Sequence, residues 1–430
     1  MLKAIFRNIF KKSNWNKISN IDILLVDHDG HRSFNYDGKM YAPLIDSIQD
    51  SFEGSNFKFL TVAEPYSILT GSKAYGNVVD FNGAFARASI FRKLKLFFKK
   101  ETFSGEFGYS YVWEKILDIT EPKLIISIMP CESLCFASRT REILIADLQH
   151  GVIADNHPWY GQSFKNNVND KLLPNYYLCW NQESADVLHK WTKNKDIQVR
   201  VIGNPWFIKF NQNVDLKFFD RNTQLISFKK LDNLPTILVT LSWDFMQYNT
   251  RYFTKKYSKN ISFEQEAGFS LGLLKIIKDN HLFYNWKIRL HPVQMNGIEY
   301  NRINKFLIEN LAAYQNVDWI ECSKLPLPFV LENIDLHITF TSTIVSEAAL
   351  FGIRSAILVP YPTPDEWLKS YYENERKNGL AYFVNNNEKD ILNWILTNLY
   401  SQKKSKFVDK HVKNYYNFIE SIKILMHSEN

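Results

Sequence analysis

What most constrains this chain is an alternation. Short runs of β-branched and apolar residues recur at residues 21–27, 57–62, 124–129, 143–148, 176–180 and 199–202, and again at 236–241, 286–290, 317–320, 336–340, 355–359 and 380–384. Most successive pairs are separated by a segment long enough for a helix. Strand, helix, strand at this spacing is the parallel βαβ unit, so the expectation is an α/β chain built on parallel sheets. A single core rarely organises 430 residues, and two are expected. Gly203-Asn204-Pro205 closes the first series of strands, and a polar, irregular stretch follows to Pro235. Gly and Pro stop regular structure, which places the expected joint there. The resulting division is an N-terminal domain over 1–205, a C-terminal domain over 206–409, and a helix over 410–430 that packs back on the first. Both domains are expected to be doubly wound, Rossmann-like, and to face an interdomain cleft.

Composition narrows the class. With 45% hydrophobic and 23% charged residues the chain is of ordinary globular type. No apolar run approaches the ~20 residues a membrane-spanning helix needs. Cys131, Cys135, Cys179 and Cys322 form no CxxC pair and read as reduced, which fits a cytoplasmic protein. The net charge of +7 raises nucleic acid as a partner. Against it, the basic residues cluster with large apolar ones at helical spacing. In residues 1–18, Leu2, Ile5, Phe6, Ile9 and Phe10 fall on one side of a helix and Lys3, Arg7, Lys11 and Lys12 on others; residues 87–100, RASIFRKLKLFFKK, repeat the pattern. Such helices lie on anionic lipid, so peripheral attachment to the inner face of a membrane is expected and nucleic acid is not. The first segment has no continuous apolar core and no cleavage site, which excludes a secretory signal.

Three stretches carry the candidate chemistry. Residues 336–359, LHITFTSTIVSEAALFGIRSAILV, read as strand, polar turn, helix, strand. Thr341, Ser342 and Thr343 put hydroxyls and free N–H groups at a helix start, where an anion such as phosphate is favoured. Glu347, one turn on, is then free to accept from a sugar hydroxyl, with Ala348, Ala349 and Gly352 keeping the helix close to the sheet. The alternative is a simple cap and a solvated glutamate. Arg289-Leu290-His291-Pro292 closes a strand of the same domain, and ligands bind at the carboxyl ends of parallel strands. In the first domain, Asp147-Leu148-Gln149-His150-Gly151 follows a strand, and Gly151 permits a sharp turn that points His150 outward as a candidate base. The alternative is a histidine bonded to a carboxylate to fix the loop. No DxD, HExxH or cysteine cluster suggests a metal, and His28, Asp29 and His31 are expected to form a loop near the acceptor.

The Gly-Asn-Pro joint, RLHP and the TSTxxxSEA turn together resemble the GT-B glycosyltransferases, and within them the bacterial sialyl-, Kdo- and capsule-polymer transferases. The resemblance implies a donor nucleotide, CMP- or CDP-linked, held by Arg289, His291, Pro292, Thr341, Ser342, Thr343 and Glu347. It further implies a surface polysaccharide or lipid-linked acceptor and no required metal or other cofactor. The His-Gly loop is similar to that of CDP-glycerol polymer transferases, which implies a catalytic role for His150, with Asp155 as second candidate and Asp147 or Asp155 orienting the ring. In retaining Kdo-type members an aspartate acts as nucleophile with a glutamate as acid/base, and Asp244 with Glu183 are the positions offered, a polar loop residue being the alternative for each. The joint and the SEA turn also look like UDP-GlcNAc 2-epimerase, where a Ser-Gly-Gly turn stands in place of Thr341-Ser342-Thr343. A uridine donor, a polyol-phosphate transferase and a sugar-nucleotide epimerase therefore stay open.

Overall fold

The structure, a computed structural model, describes residues 2–99, 109–155, 157, 159–161, 168–211, 219, 224–225, 228, 234–242, 263–264, 269–295, 297–340, 342–359, 371–399 and 409–427. The chain divides into two compact units, one of residues 1–212 with 409–430 and one of residues 213–408. Each is built on a six-stranded parallel sheet, as the alternation predicts.

The first unit contains strands β1 (Ile23–Asp27), a hairpin of β2 (Phe34–Tyr36) and β3 (Lys39–Tyr41), then β4 (Phe59–Ala63), β5 (Leu124–Ser127), β6 (Leu144–Leu148), β7 (Tyr176–Cys179) and β8 (Gln198–Val201). Its main sheet runs β4-β1-β5-β6-β7-β8, and every pair in it is parallel. β1, ILLVD, is buried along its whole length because it is covered on both faces. Edge strand β8 alternates outward Gln198 and Arg200 with half-buried Val199 and Val201. The core beside β1 gathers Leu24, Val26, Val62, Phe81, Phe85, Trp113 and Ile125. The hairpin is not among the apolar runs of the sequence. Its Asp37-Gly38 turn has φ of 47° and 74°, the paired positive values that match strand twist in a two-residue turn.

The expected joint lies differently. Asn204 Oδ1 accepts from the backbone N–H of Trp206 (3.1 Å) and Phe207 (3.3 Å), so Gly-Asn-Pro starts the helix Pro205–Asn211 rather than a linker. Trp206, Phe207, Ile208 and Phe210 are buried, and the Trp206 ring sits 5.8 Å from that of Tyr41. The helix therefore belongs to the first unit, which ends after Gln212. Helix Asp409–His427 also belongs to this unit. It buries Tyr415, Phe418, Ile419, Ile422 and Met426 at helical spacing, and the Tyr415 hydroxyl is 2.7 Å from Ser51 Oγ.

The second unit holds β9 (Thr236–Thr240), a small pair β10 (Phe263–Glu264) and β11 (Phe269–Ser270), then β12 (Asn285–Arg289), β13 (Val317–Asp318), β14 (Leu336–Thr339), β15 (Arg354–Val359) and β16 (Ala381–Asn385). The main order is β13-β12-β9-β14-β15-β16, parallel throughout. In order of appearance this is 3-2-1-4-5-6, the doubly wound order whose direction reverses between β9 and β14. His337 spans three strands of the sheet, with Nε2 2.8 Å from Thr240 Oγ1 and Nδ1 2.9 Å from Ser355 Oγ, all fully buried.

Candidate functional site

In the second unit, β12, β9 and β14 are neighbours, so the turns leaving their carboxyl ends lie side by side at the point where the strand order reverses. Arg289, the last residue of β12, is turned inward. Its Nη1 donates to the carbonyls of Cys322 (2.5 Å) and Leu325 (2.8 Å). Glu347 lies in the helix Ile344–Leu350 and is only 7% exposed, which removes the solvated-glutamate alternative. Burial pushes its carboxyl up to about 7, and the charge of Arg289 acts in the opposite direction. Glu347 is thus a buried acid coupled to a buried guanidinium rather than a free carboxylate. His291 is half-buried and held in a closed turn. Its N–H donates to Gln294 Oε1 (2.8 Å), and its carbonyl accepts from the Gln294 N–H (2.7 Å). Burial lowers the imidazole to about 4, so it is neutral near pH 7 and offers a hydrogen bond rather than a charge. Pro292 begins the short 3-10 turn Pro292–Met295 that follows.

The helix start departs from a simple cap. Thr343 makes no side-chain cap bond; Ser342 Oγ accepts from the Ile344 N–H (3.2 Å) instead, and the Ser342 N–H donates to the Tyr372 hydroxyl (3.0 Å). Thr341 lies outside the described residues, as does Asp244. Gly352, expected to thin the helix, stands just past its end at φ 69°, where the Gly352 N–H reaches the Ala349 carbonyl and the Ile353 N–H that of Ala348. That is a left-handed helix stop, which glycine adopts without strain.

In the first unit, His150 follows β6 in a loop fixed by Gln149. The Gln149 amide donates to the Gly151 carbonyl (2.8 Å) and Ser184 Oγ (3.0 Å) and accepts from the Trp180 N–H (2.7 Å). His150 Nδ1 is buried and has no hydrogen-bond partner among the described residues. Burial first, then the charges of His31 and His157, push this imidazole down to about 3. Neither expected carboxylate orients it. Asp147 Oδ1 accepts from the Met129 N–H (2.9 Å), and its charge bears on the buried Tyr160 and Tyr177 hydroxyls. Asp155 is exposed and pairs with Lys190 at 2.6 Å. Glu183 is exposed in the first turn of the helix Gln182–Thr192, where a carboxylate suits the helix dipole.

The neighbour of His150 is instead His31, with ring centroids 5.4 Å apart. His31 ends the 3-10 turn Asp29–His31 that leaves β1, and its Nδ1 is 3.0 Å from Asp27 Oδ1. Asp27 is fully buried and also meets Arg32 (2.9 Å), which reaches on to buried Asp46 (3.2 Å). Burial pushes Asp46 up to about 7 against the pull of Arg32. Glu64, whose N–H donates to the Asp27 carbonyl (2.8 Å), is likewise raised to about 7 by burial, with the charge of His31 opposing. Asp29 accepts from the N–H groups of Ile68 (2.6 Å) and Leu69 (2.9 Å), and His28 Nδ1 accepts from that of Gly30 (3.0 Å), so both hold the turn in place. Among the described residues no group of three or more His, Cys, Asp or Glu side chains is placed to hold a metal ion.

No family model matches the sequence, and no curated protein matches it either. Solved structures do match along nearly the whole chain. The UDP-GlcNAc 2-epimerase from Neisseria meningitidis bound to UDP-GlcNAc aligns at a TM-score of 0.53 and 14% identity, over 95% of this chain and 99% of that one. The Methanocaldococcus jannaschii epimerase in complex with UDP-GlcNAc and UDP gives 0.54 and 12%, over 94% and 99%. The wall teichoic acid polymerase TagF gives 0.52 and 13%, over 95% and 84%. The fold is of the GT-B type. In this GT-B-type chain the residues that sequence reasoning passed over, Gln149, Gln294 and Tyr372, are the partners that fix the three turns. The Asp27–His31 pair was visible as a strand-end acid four residues before a histidine.

Proposed function

We propose that this protein is a glycosyltransferase that draws on a sugar nucleotide, CMP-, CDP- or UDP-linked, and delivers to a polysaccharide or lipid-linked acceptor of the bacterial surface. The observation that carries the reading is that Arg289, His291 and Ser342 stand at or just past the ends of β12 and β14, with Glu347 one turn into the helix that follows, where the second sheet reverses its order, the place where open parallel sheets bind nucleotides. Two similar epimerases hold UDP-GlcNAc in their structures, which supports a sugar nucleotide here. The neutral His291 imidazole suits a hydrogen bond to the phosphates of a leaving nucleotide.

Transfer is favoured over epimerisation by the surface around the two basic segments. Helices Leu2–Asn8 and Asn82–Lys99 pack together, and Arg87 donates to the carbonyls of Ile9 (3.0 Å) and Lys11 (3.2 Å). Phe6, Phe10 and Phe91 stay 68%, 93% and 76% exposed. Aromatic rings beside lysine and arginine suit the headgroup layer of an anionic membrane, where a lipid-carried acceptor would be met. No described helix is long and apolar enough to cross a membrane.

Melting the protein with CMP, CDP, UDP, GDP and UDP-GlcNAc tests the nucleotide, since a ligand of the folded state raises its stability. Incubation of the stabilising sugar nucleotide without acceptor then separates the two chemistries. An epimerase returns the C2 epimer with the nucleotide still attached. A transferase leaves C2 unchanged and releases nucleotide when acceptor is added. If no nucleotide raises the melting temperature, the reading is wrong.

A further inference from the structure

His31 and His150 face one another in unlike electrostatic settings, and the difference assigns them different work. His31 has Nδ1 tied to a buried carboxylate at 3.0 Å, which fixes the ring and leaves Nε2 as the nitrogen that can receive a proton. Its side chain is 22% exposed and so within reach of a ligand. The groups around it are Asp27 on β1, His28, Asp29 and Arg32 in its own turn, Glu64 past β4, and His150 past β6. His150 has no carboxylate partner among the described residues, its Nδ1 is buried, and any charge on it would repel one on His31.

Resting on the transferase reading, we propose that His31, positioned by Asp27, takes the acceptor's proton, and that His150 beside it acts as a neutral hydrogen-bonding group. In the step, the acceptor O–H bond breaks and its proton goes to His31 Nε2. The freed oxygen pair forms the new bond to the transferred group. The bond from that group to the nucleotide phosphate breaks, and its electron pair leaves on the phosphate oxygen. Asp27 stabilises the imidazolium that results.

The full-length protein labelled with ¹⁵N in its histidine rings tests this directly. The His31 resonances, assigned by their loss in His31→Ala, are expected to show the proton on Nδ1 at pH 8. Asp27→Asn should shift the His31 proton from Nδ1 toward Nε2, and His31→Gln, which leaves the Asp27–Arg32 pair intact, serves for function should that variant not fold. With the sugar nucleotide that stabilises the protein, His31→Ala and His31→Gln should lower turnover about a hundredfold while the nucleotide-induced rise in melting temperature is kept. A proton found on Nε2 of His31 in the unaltered protein, or near-normal turnover without His31, overturns the proposal. Should no sugar nucleotide bind, the transferase reading fails, and the ring spectra still decide whether Asp27 holds the His31 proton on Nδ1 and leaves Nε2 free.

Discussion

A carboxylic acid held near neutrality by burial is an unusual group to find beside an arginine, and Glu347 is such a group. Its partner Arg289 spends Nη1 on two backbone carbonyls, so it cannot fully compensate the acid. Glu347→Gln replaces a half-protonated carboxyl by a neutral group of the same shape, so the fold should be kept. If the ionised form accepts from a nucleotide's hydroxyls, affinity should drop by about ten- to a hundredfold, the usual worth of a hydrogen bond to a charged group. Calorimetric titration of the variant with the stabilising nucleotide checks this. An unchanged affinity would mean that Glu347 serves only to hold Arg289 in place.

Among the elements, the contact between the first helix segment and Asn82–Lys99 depends on one residue. A Cβ at Gly83 would stand 2.0 Å from the Lys11 carbonyl oxygen, and that atom is backbone. Gly83→Ala should therefore push the two elements apart at a cost of roughly 1–3 kcal/mol, the range for overpacking a close contact. Limited proteolysis should then cut within residues 9–13 earlier than in the unaltered protein. The same pair of elements carries the three exposed rings. Substituting Phe6, Phe10 and Phe91 together by Ser should lower binding to anionic vesicles by roughly tenfold or more, because each buried phenyl contributes about 1.5–3 kcal/mol when fully withdrawn from water. Flotation with neutral and anionic vesicles measures it. Equal flotation of both proteins would make the patch an ordinary surface.

The whole molecule stores several histidines in neutral form, and this sets the sign of its acid response. His337 is held at about 3, well below its usual 6.5, by burial. The unfolded chain therefore binds a proton that the folded chain refuses, and the stability His337 supports is present above pH 6.5 and lost as the pH falls toward 3. Glu64 and Glu347, raised to about 7, act oppositely, since they favour the folded state below their unfolded value and lose that advantage as the pH rises through 7. His337→Gln isolates the first effect. At pH 7 it should cost about 1–3 kcal/mol by disturbing the bonds to Thr240 and Ser355. That deficit should shrink by about 1.4 kcal/mol per pH unit as the pH is lowered below about 6.5, and reverse sign before about pH 4. Urea unfolding at half-unit intervals reads both, and a deficit independent of pH would mean that His337 is protonated with Thr240 and Ser355 both accepting.

Twelve strands were legible in the sequence to within a residue or two, because a strand covered on both faces must be a short run of apolar, β-branched residues, and that run needs no partner to be recognised. The positions of Arg289, His291 and Ser342 at strand ends, and of Glu347 in the helix that follows, came from the same pattern. What the sequence did not contain was which side chains meet. His31 and His150 are 119 positions apart and become ring neighbours only because β5 separates β1 from β6 in the sheet. Asp147 is close to His150 along the chain, yet its Oδ1 accepts from the Met129 N–H instead. The Gly-Asn-Pro segment reads as a stop, while the asparagine side chain makes it a start. Local propensity and hydrophobic period determined the elements; burial, which sets every pKa cited here, exists only once those elements are packed.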